Sequence, residues 1–232
     1  MKIRTYKNRI QALTLVELLT VVAFLIMLAV VFLPQLARPR RAYRSSRISC
    51  VNALKQVGLA FRIWQADNND KFPMSISTTN GGTMELNESG TVWRHFEVMS
   101  NELNTPKILF CPADTDSRRR LATVWGGALN ESSGQIPFTG DTNTSYFIGV
   151  DADYTNPNMF LAGDRNLMVK NVALKPGLHL LTTNEVVGWT AKLHVNQGNV
   201  LMADASVQQF TSASLPEALI KTGVATNRLS LP

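Results

Sequence analysis

Cys50 and Cys111 are the two cysteines of this 232-residue chain. They offer either a disulfide or two buried free thiols. A bridge would close a loop of about 60 residues and contribute roughly 3–4 kcal/mol in the loop-entropy model. It requires Cα atoms closer than about 7 Å. Two acid pairs come next, Asp114-x-Asp116 in CPADTD and Asp151-x-Asp153 in GVDADYTN. Alternating carboxylates suit calcium, which takes about six to eight oxygens. Neither pair has the glycine and distal Glu of an EF-hand, so calcium at Asp151 and Asp153 competes with solvated loop carboxylates. His95, His179 and His194 lie too far apart in sequence to form a metal motif. Arg118, Arg119 and Arg120 sit beside Asp114 and Asp116, which reads as a salt-bridged surface turn rather than a nucleic-acid patch. No G-x-S-x-G, phosphate loop or zinc spacing occurs, so the sequence names no catalytic residue and the chain is expected not to be an enzyme.

The most unusual charge is Glu17. Residues 13–33 read LTLVELLTVVAFLIMLAVVFL, with Thr14, Glu17 and Thr20 as the polar positions. At about 1.5 Å per residue the run reaches about 30 Å, the thickness of a bilayer core. It is longer than the apolar stretch of a secretory signal, and no small-x-small site follows it. A retained single span is therefore expected. A carboxylate inside such a span is unfavourable unless it is near the interface, protonated or paired.

Charge segregates around this run. Residues 1–12 carry +4, residues 38–66 carry +7, and residues 67–232 carry −4, within a total of +6. A DNA-binding module would carry its positive charge on the folded domain, so nucleic acid is not expected as a primary partner. Composition, with 45% hydrophobic and 17% charged residues, excludes a fully disordered chain. With 14 Gly, 10 Pro and 2 Cys it is neither collagen-like nor a disulfide-dense scaffold.

The N-terminal segment resembles the cleavage and methylation segment of type IV prepilins and type II secretion pseudopilins. The leader MKIRTYKNRIQA is followed by Leu13-Thr14-Leu15-Val16-Glu17-Leu18-Leu19, and the proline usual in that family falls on Pro34. Ala12 stands where the family has Gly, and Leu13 where it has Phe. The resemblance implies that a prepilin peptidase cuts between Ala12 and Leu13 and N-methylates Leu13. The new amino terminus would then pair with Glu17 of a neighbouring subunit and select register in a filament, since a pair in apolar surroundings is poorly screened. Lys and Arg are abundant on both flanks of the run, so the positive-inside rule does not orient it. The resemblance implies a cytoplasmic N-terminus before cleavage and a periplasmic C-terminal part, in a single-pass inner-membrane protein. CVNALKQVGLAFRIWQADNNDKFP, LFCPAD and HVNQGNVLMADASVQQF also resemble a pseudopilin-like family abundant in planctomycete and verrucomicrobial-type bacteria. Asp204-Ala205-Ser206 replaces that family's Asp-Gly-Ser.

The elements that must position these residues can be read from periodicity. Cys50, Leu54, Val57, Phe61 and Trp64 form one helical stripe, which turns Cys50 toward a globular part; Gly58 weakens the helix locally. Asp67-Asn68-Asn69-Asp70 and Phe72-Pro73 end it. One long helix over 14–66 is expected, bent near Pro34 and Pro39. Strands are expected over 145–150, 159–162, 178–181, 185–187, 199–202 and 206–210, the last two as a hairpin around Ala203-Asp204-Ala205. A short helix is expected over 215–222, and loops over 75–92 and 126–143. The four Trp are expected in or near the core.

The expected fold is α+β and pilin-like. It has a leader (1–12), a transmembrane helix (13–37), an amphipathic stalk helix (38–66) and a periplasmic head (67–232) in which the stalk packs on an antiparallel sheet. The expected function is a structural subunit of a pseudopilus in type II-type secretion. Its partners would be other pilin or pseudopilin subunits, prepilin peptidase, the inner membrane and a secretion assembly platform, with no cofactor beyond the calcium weighed above. A surface type IV pilin for adhesion or DNA uptake is one alternative. A membrane-anchored periplasmic enzyme or ligand-binding protein that carries such a leader is another.

Overall fold

A computed structural model describes residues 14–36, 38–127 and 134–232, without the side chains of residues 31–45. The chain divides into two compact units, Met1–Ala42 and Tyr43–Pro232. The first described element is helix α1 (Leu15–Leu36). It starts at a reciprocal capping box. The Thr14 backbone N–H and hydroxyl both donate to Glu17 Oε2, at 2.9 and 3.0 Å, and the Glu17 N–H reaches Thr14 Oγ1 at 3.4 Å. This satisfies backbone donors that a helix start otherwise leaves open. Helix α2 (Arg38–Asp67) follows, with Pro39 in its first turn, where a missing N–H is harmless.

Two expectations are corrected here. Where one kinked helix was expected over 14–66, the described residues give two elements, Leu15–Leu36 and Arg38–Asp67, with residue 37 outside the described residues. Among the described residues, no helix is long and apolar enough to cross a membrane. Helix α2 has the length but carries Arg38, Arg40, Arg41, Arg44, Arg47, Lys55 and Arg62. This contradicts the expected transmembrane helix, and with it the single-pass inner-membrane placement with a cytoplasmic N-terminus and periplasmic head.

The second unit is built around a six-stranded antiparallel sheet. In chain order its strands are β3 (Tyr146–Gly149), β4 (Phe160–Asp164), β7 (Gly177–Thr182), β9 (Gln197–Met202), β10 (Val207–Thr211) and β11 (Thr226–Leu231). Their spatial order is β10-β9-β4-β3-β11-β7. A smaller antiparallel sheet has the order β6-β5-β8, from β5 (Leu167–Val169), β6 (Val172–Ala173) and β8 (Val187–Trp189). A parallel two-residue pair joins β1 (Val124–Trp125) to β2 (Pro137–Phe138). Short helices α3 (Trp93–Glu97), α4 (Ser100–Leu103) and α5 (Leu215–Lys221) complete the unit.

The core lies on both faces of the large sheet, and the two-residue period of a strand divides it. Tyr146, Ile148, Leu201 and Ala203 join one cluster with Cys50, Leu54, Val57, Phe61 and Trp64 of α2. Phe147, Val200, Met202 and Leu229 join a second with Trp189, Leu215 and Leu219. Each fully buried large apolar side chain contributes about 1.5–3 kcal/mol. The α2 stripe thus belongs to the core of the second unit from Cys50 onward. Gly58 has a packing role in it: a Cβ there would come within 2.7 Å of Leu201 Cδ1 and 3.3 Å of Ala205 Cβ. The missing side chain lets α2 approach the β9–β10 hairpin.

That hairpin turns through Ala205 at φ 67°, left-handed even without glycine, and Asp204 Oδ1 accepts the Ser206 N–H at 2.8 Å. Strand β8 starts at Val187, later than expected, because residues 182–185 form a turn. There the Glu185 carboxylate accepts the Thr182 N–H at 3.3 Å. The segment 75–92 folds into 3-10 turns over Thr78–Asn80 and Met84–Ser89. Trp64 and Trp189 are buried, and Trp93 and Trp125 are partly buried against the core.

Two predictions follow from these packings. A left-handed alanine carries a strain of about 1 kcal/mol that glycine lacks, so Ala205→Gly raises the unfolding free energy by about that amount in urea titration. His95 is fully buried with Nδ1 2.7 Å from Thr83 Oγ1, and burial pushes its pKa down to about 4. The unfolded chain then binds more protons between about pH 6.5 and pH 4, so stability present above that window is lost on acidification, by about 3 kcal/mol. His95→Gln removes that share of the acid dependence in urea titrations across the window.

Candidate functional site

Two regions carry chemistry. The first is the surface of α1. Leu15, Val16, Phe24, Met27 and Val30 expose 74, 67, 62, 70 and 66% of their area, and Leu18, Leu19, Leu25 and Ile26 more than half. Successive residues turn by about 100°, so apolar groups face every direction rather than one stripe. Glu17 sits at the start of this surface, and the Thr14 backbone and side-chain hydrogen bonds hold its carboxyl below the usual range. Its negative charge is therefore fixed at the N-terminal end of the helix, where the dipole also favours an anion. Ala12 and Leu13 lie outside the described residues.

The second region is a buried polar centre beneath α2. Cys50 and Cys111 form a disulfide, with Cα atoms 5.4 Å apart. Cys50 arrives on the α2 stripe, and Cys111 arrives after the 3-10 turn Pro106–Leu109. A bridge over this separation contributes about 4 kcal/mol through loop entropy. His194 comes from the loop between β8 and β9. Its Nε2 lies 3.5 Å from Cys111 Sγ and 3.5 Å from Asp164 Oδ2. The sheet register supplies Asp164: Tyr146, Asp164 and Asn199 stand in one row across β3, β4 and β9, where Asn199 donates its backbone and side-chain N–H groups to Asp164 Oδ2 at 2.7 and 2.9 Å. Val195, the residue after His194, holds φ 52°. That is an outlier for a β-branched side chain.

Burial sets the protonation of this centre. It pushes Asp164 up to about 7, against the pull of the Asn199 hydrogen bonds, and pushes His194 down to about 4 with help from the charge of Arg47. Between these values both groups are neutral, so their contact is a polar one and not an ion pair. Among the described residues, His194 Nδ1, Asp164 Oδ1 and the Tyr146 hydroxyl make no hydrogen bond. Such buried polar atoms are unfavourable.

The centre does not have the geometry of a Cys-His-Asp triad. A triad uses both ring nitrogens, one toward the nucleophile and one toward the carboxylate. Here sulfur and carboxylate both face Nε2. Cys50, Cys111 and His194 are the one group of three potential metal ligands found among the described residues, with donor atoms within 4.8 Å of one another.

The acid pairs have other partners. Asp151 accepts Arg228 Nε at 2.9 Å, and Asp153 accepts the Thr155 N–H and hydroxyl at 2.8 and 2.6 Å. Asp114 is buried and takes a bidentate pair from Arg165 at 2.7 and 2.8 Å and the Ser145 hydroxyl at 2.9 Å. Burial pushes Asp114 up, but Arg165 and Ser145 outweigh it and leave the carboxyl below its usual range. Arg118 pairs with Asp116 on the surface, whereas Arg119 turns inward and donates to the carbonyls of Asp141, Thr144 and Pro232. His95 and His179 join neither region: His95 pairs with Thr83, and His179 Nε2 lies 2.7 Å from the Lys175 carbonyl.

Cys50 and Cys111 stand out in the sequence, but no spacing links them to His194 or to Asp164. The string HVNQGNVLMAD holds His194 and leads into the hairpin, which was its one local signal. Thr14-x-x-Glu17 has the spacing of a capping box, a local signal for the start of α1.

Compared with protein-family models, with curated proteins and with solved structures, the chain matches none.

Replacing Arg165 by Met would leave Asp114 buried without its main partner. Arg165→Met is expected to lower stability by about 3–5 kcal/mol in urea unfolding. The double variant Asp114→Asn/Arg165→Met recovers part of that loss.

Proposed function

We propose that the chain is a pilin-like structural subunit that assembles with other such subunits into a pseudopilus serving type II-type secretion, after a prepilin peptidase cuts between Ala12 and Leu13. The observation that carries this reading is α1: over residues 15–30 the helix is apolar on every face and its side chains stand exposed. A helix hydrophobic all round needs cover on all sides, and neighbouring copies of the same helix supply it. The N-terminal resemblance supports it independently. Glu17 has two roles in this account. Its carboxylate closes the capping box that starts α1, and its charge pairs with the amino terminus that cleavage creates on a neighbour, which sets register.

Glu17→Gln separates the two roles, because Gln also closes a capping box but carries no charge. With a single cysteine introduced at Val22, oxidative cross-linking of the otherwise native chain in cells is expected to give a ladder of oligomers. Adding Glu17→Gln abolishes the ladder while the chain is still made and folded. An unchanged ladder in that variant contradicts the pairing role, and a monomer in the parent contradicts assembly through α1.

A further inference from the structure

A cleft in the second unit gathers cations that folding leaves partly uncommitted. Four segments far apart in the chain border it: the loop after Cys111 with Asp114, Asp116 and Arg118, the β4–β5 turn with Arg165, the β6–β7 loop with Lys175, and the β8–β9 loop with Lys192. Its volume is about 440 Å³, within the range of small-molecule sites. The carboxylates aim the guanidinium groups. Asp114 accepts Arg165 Nε and Nη2 at 2.8 and 2.7 Å, and Asp116 accepts Arg118 Nε and Nη2 at 3.0 and 2.8 Å. Among the described residues, Nη1 of both arginines and the amines of Lys175 and Lys192 have no hydrogen-bond or ion-pair partner. We propose that this cleft binds a phosphate monoester, its phosphate on Arg118, Arg165 and Lys192 and its organic arm on Leu174, Pro176 and Leu231.

Charge and lining agree with that ligand. At the cleft wall Arg118, Arg119, Arg165, Lys175 and Lys192 outnumber Asp114, Asp116 and Asp141, even with a carboxylate at Pro232 added. The positive charge is crowded: burial, and next the charge of Arg165, pull Arg119 down to about 10. Arg119 spends its own donors on the carbonyls of Asp141, Thr144 and Pro232, so it adds charge to the cleft without a free edge. A phosphate monoester carries about −1.5 to −2 charges at neutral pH, which suits several converging cations better than a single carboxylate does. Charge-assisted hydrogen bonds from guanidinium to phosphate are among the strong ones. Leu174, Pro176 and Leu231 give the same cleft an apolar wall. Neither α1 nor the reading of it as a filament subunit enters this argument.

The donors divide by how firmly they are held. The side chains of Arg165 and Asp114 are 12% and 1% exposed, so their bidentate pair sets the direction of the open Arg165 Nη1 edge. Such a buried pair is weak evidence for stability; beside a cleft it is a rigid support for an anion site. Arg118, at 79% exposure, Lys175 and Lys192 approach from the solvent side. A bound phosphate would join the fixed donor to the exposed ones and tie together loops that the sheet leaves separate. Binding to the folded form alone then stabilises the chain by mass action.

The test is calorimetric titration of the full chain at low salt with phenyl phosphate as the probe. Saturable binding of one molecule per chain is expected. It should be about 10-fold or more tighter than binding of inorganic phosphate, which lacks the arm, or of benzoate, which lacks the second charge. Arg118→Gln and Lys192→Gln each weaken it by about 10-fold or more, and thermal melts of both variants show that they fold. Lys71→Gln, which removes an exposed lysine outside the cleft, leaves the affinity unchanged. No saturable binding overturns the proposal. So does inorganic phosphate or benzoate bound as tightly as phenyl phosphate, or an affinity that Arg118→Gln and Lys192→Gln leave unchanged.

Discussion

The fold depends on burying one face of α2 against the large sheet. Cys50, Leu54, Val57, Phe61 and Trp64 enter a core that also takes in Tyr146, Ile148, Leu161 and Leu201 from three strands. Their cross-strand register then has one side filled by a helix, and a slip by one residue would turn each of those side chains to the opposite face. The disulfide ties this helix to the segment before β1, and Gly58 lets it sit against the β9–β10 turn. The buried centre follows from the same packing. Asp164 lies in the row of Tyr146 under α2, and His194 is delivered by the loop that leads into β9.

The two helices differ in what covers them. From Cys50 onward helix α2 finds its cover inside the second unit, so its charged positions there lie off the stripe. Helix α1 has apolar side chains on all sides and no face reserved for water. A chain that keeps such a helix must cover it with something apolar, and this constraint ties structure to the proposed role. In the second unit Asp114, Arg165 and Arg119 form a mostly buried ionic cluster.

Sequence periodicity made the α2 stripe and the hairpin legible, because each element repeats its apolar residues at its own period. Strand β11 was hidden. Its sequence TNRLSL has two apolar residues, yet it lies inside the sheet between β3 and β7. Its Arg228 is satisfied by a partner far along the chain, Asp151, which no local pattern displays. The buried centre was hidden for the same reason, since its four residues are scattered between positions 50 and 194. The apolar run of α1 was plain, but its cover was not: neighbouring helices and lipid are equally apolar, and composition alone favoured a membrane span, for which no helix among the described residues is long and apolar enough.

Hydrogen–deuterium exchange of the full chain, followed by mass spectrometry, tests most directly whether α2 is core. If it is, amides of residues 50–66 exchange only through global opening and match the slowest amides of β3 and β9. Exchange in that segment at rates well above those strands, as for a helix that opens independently, would contradict the account.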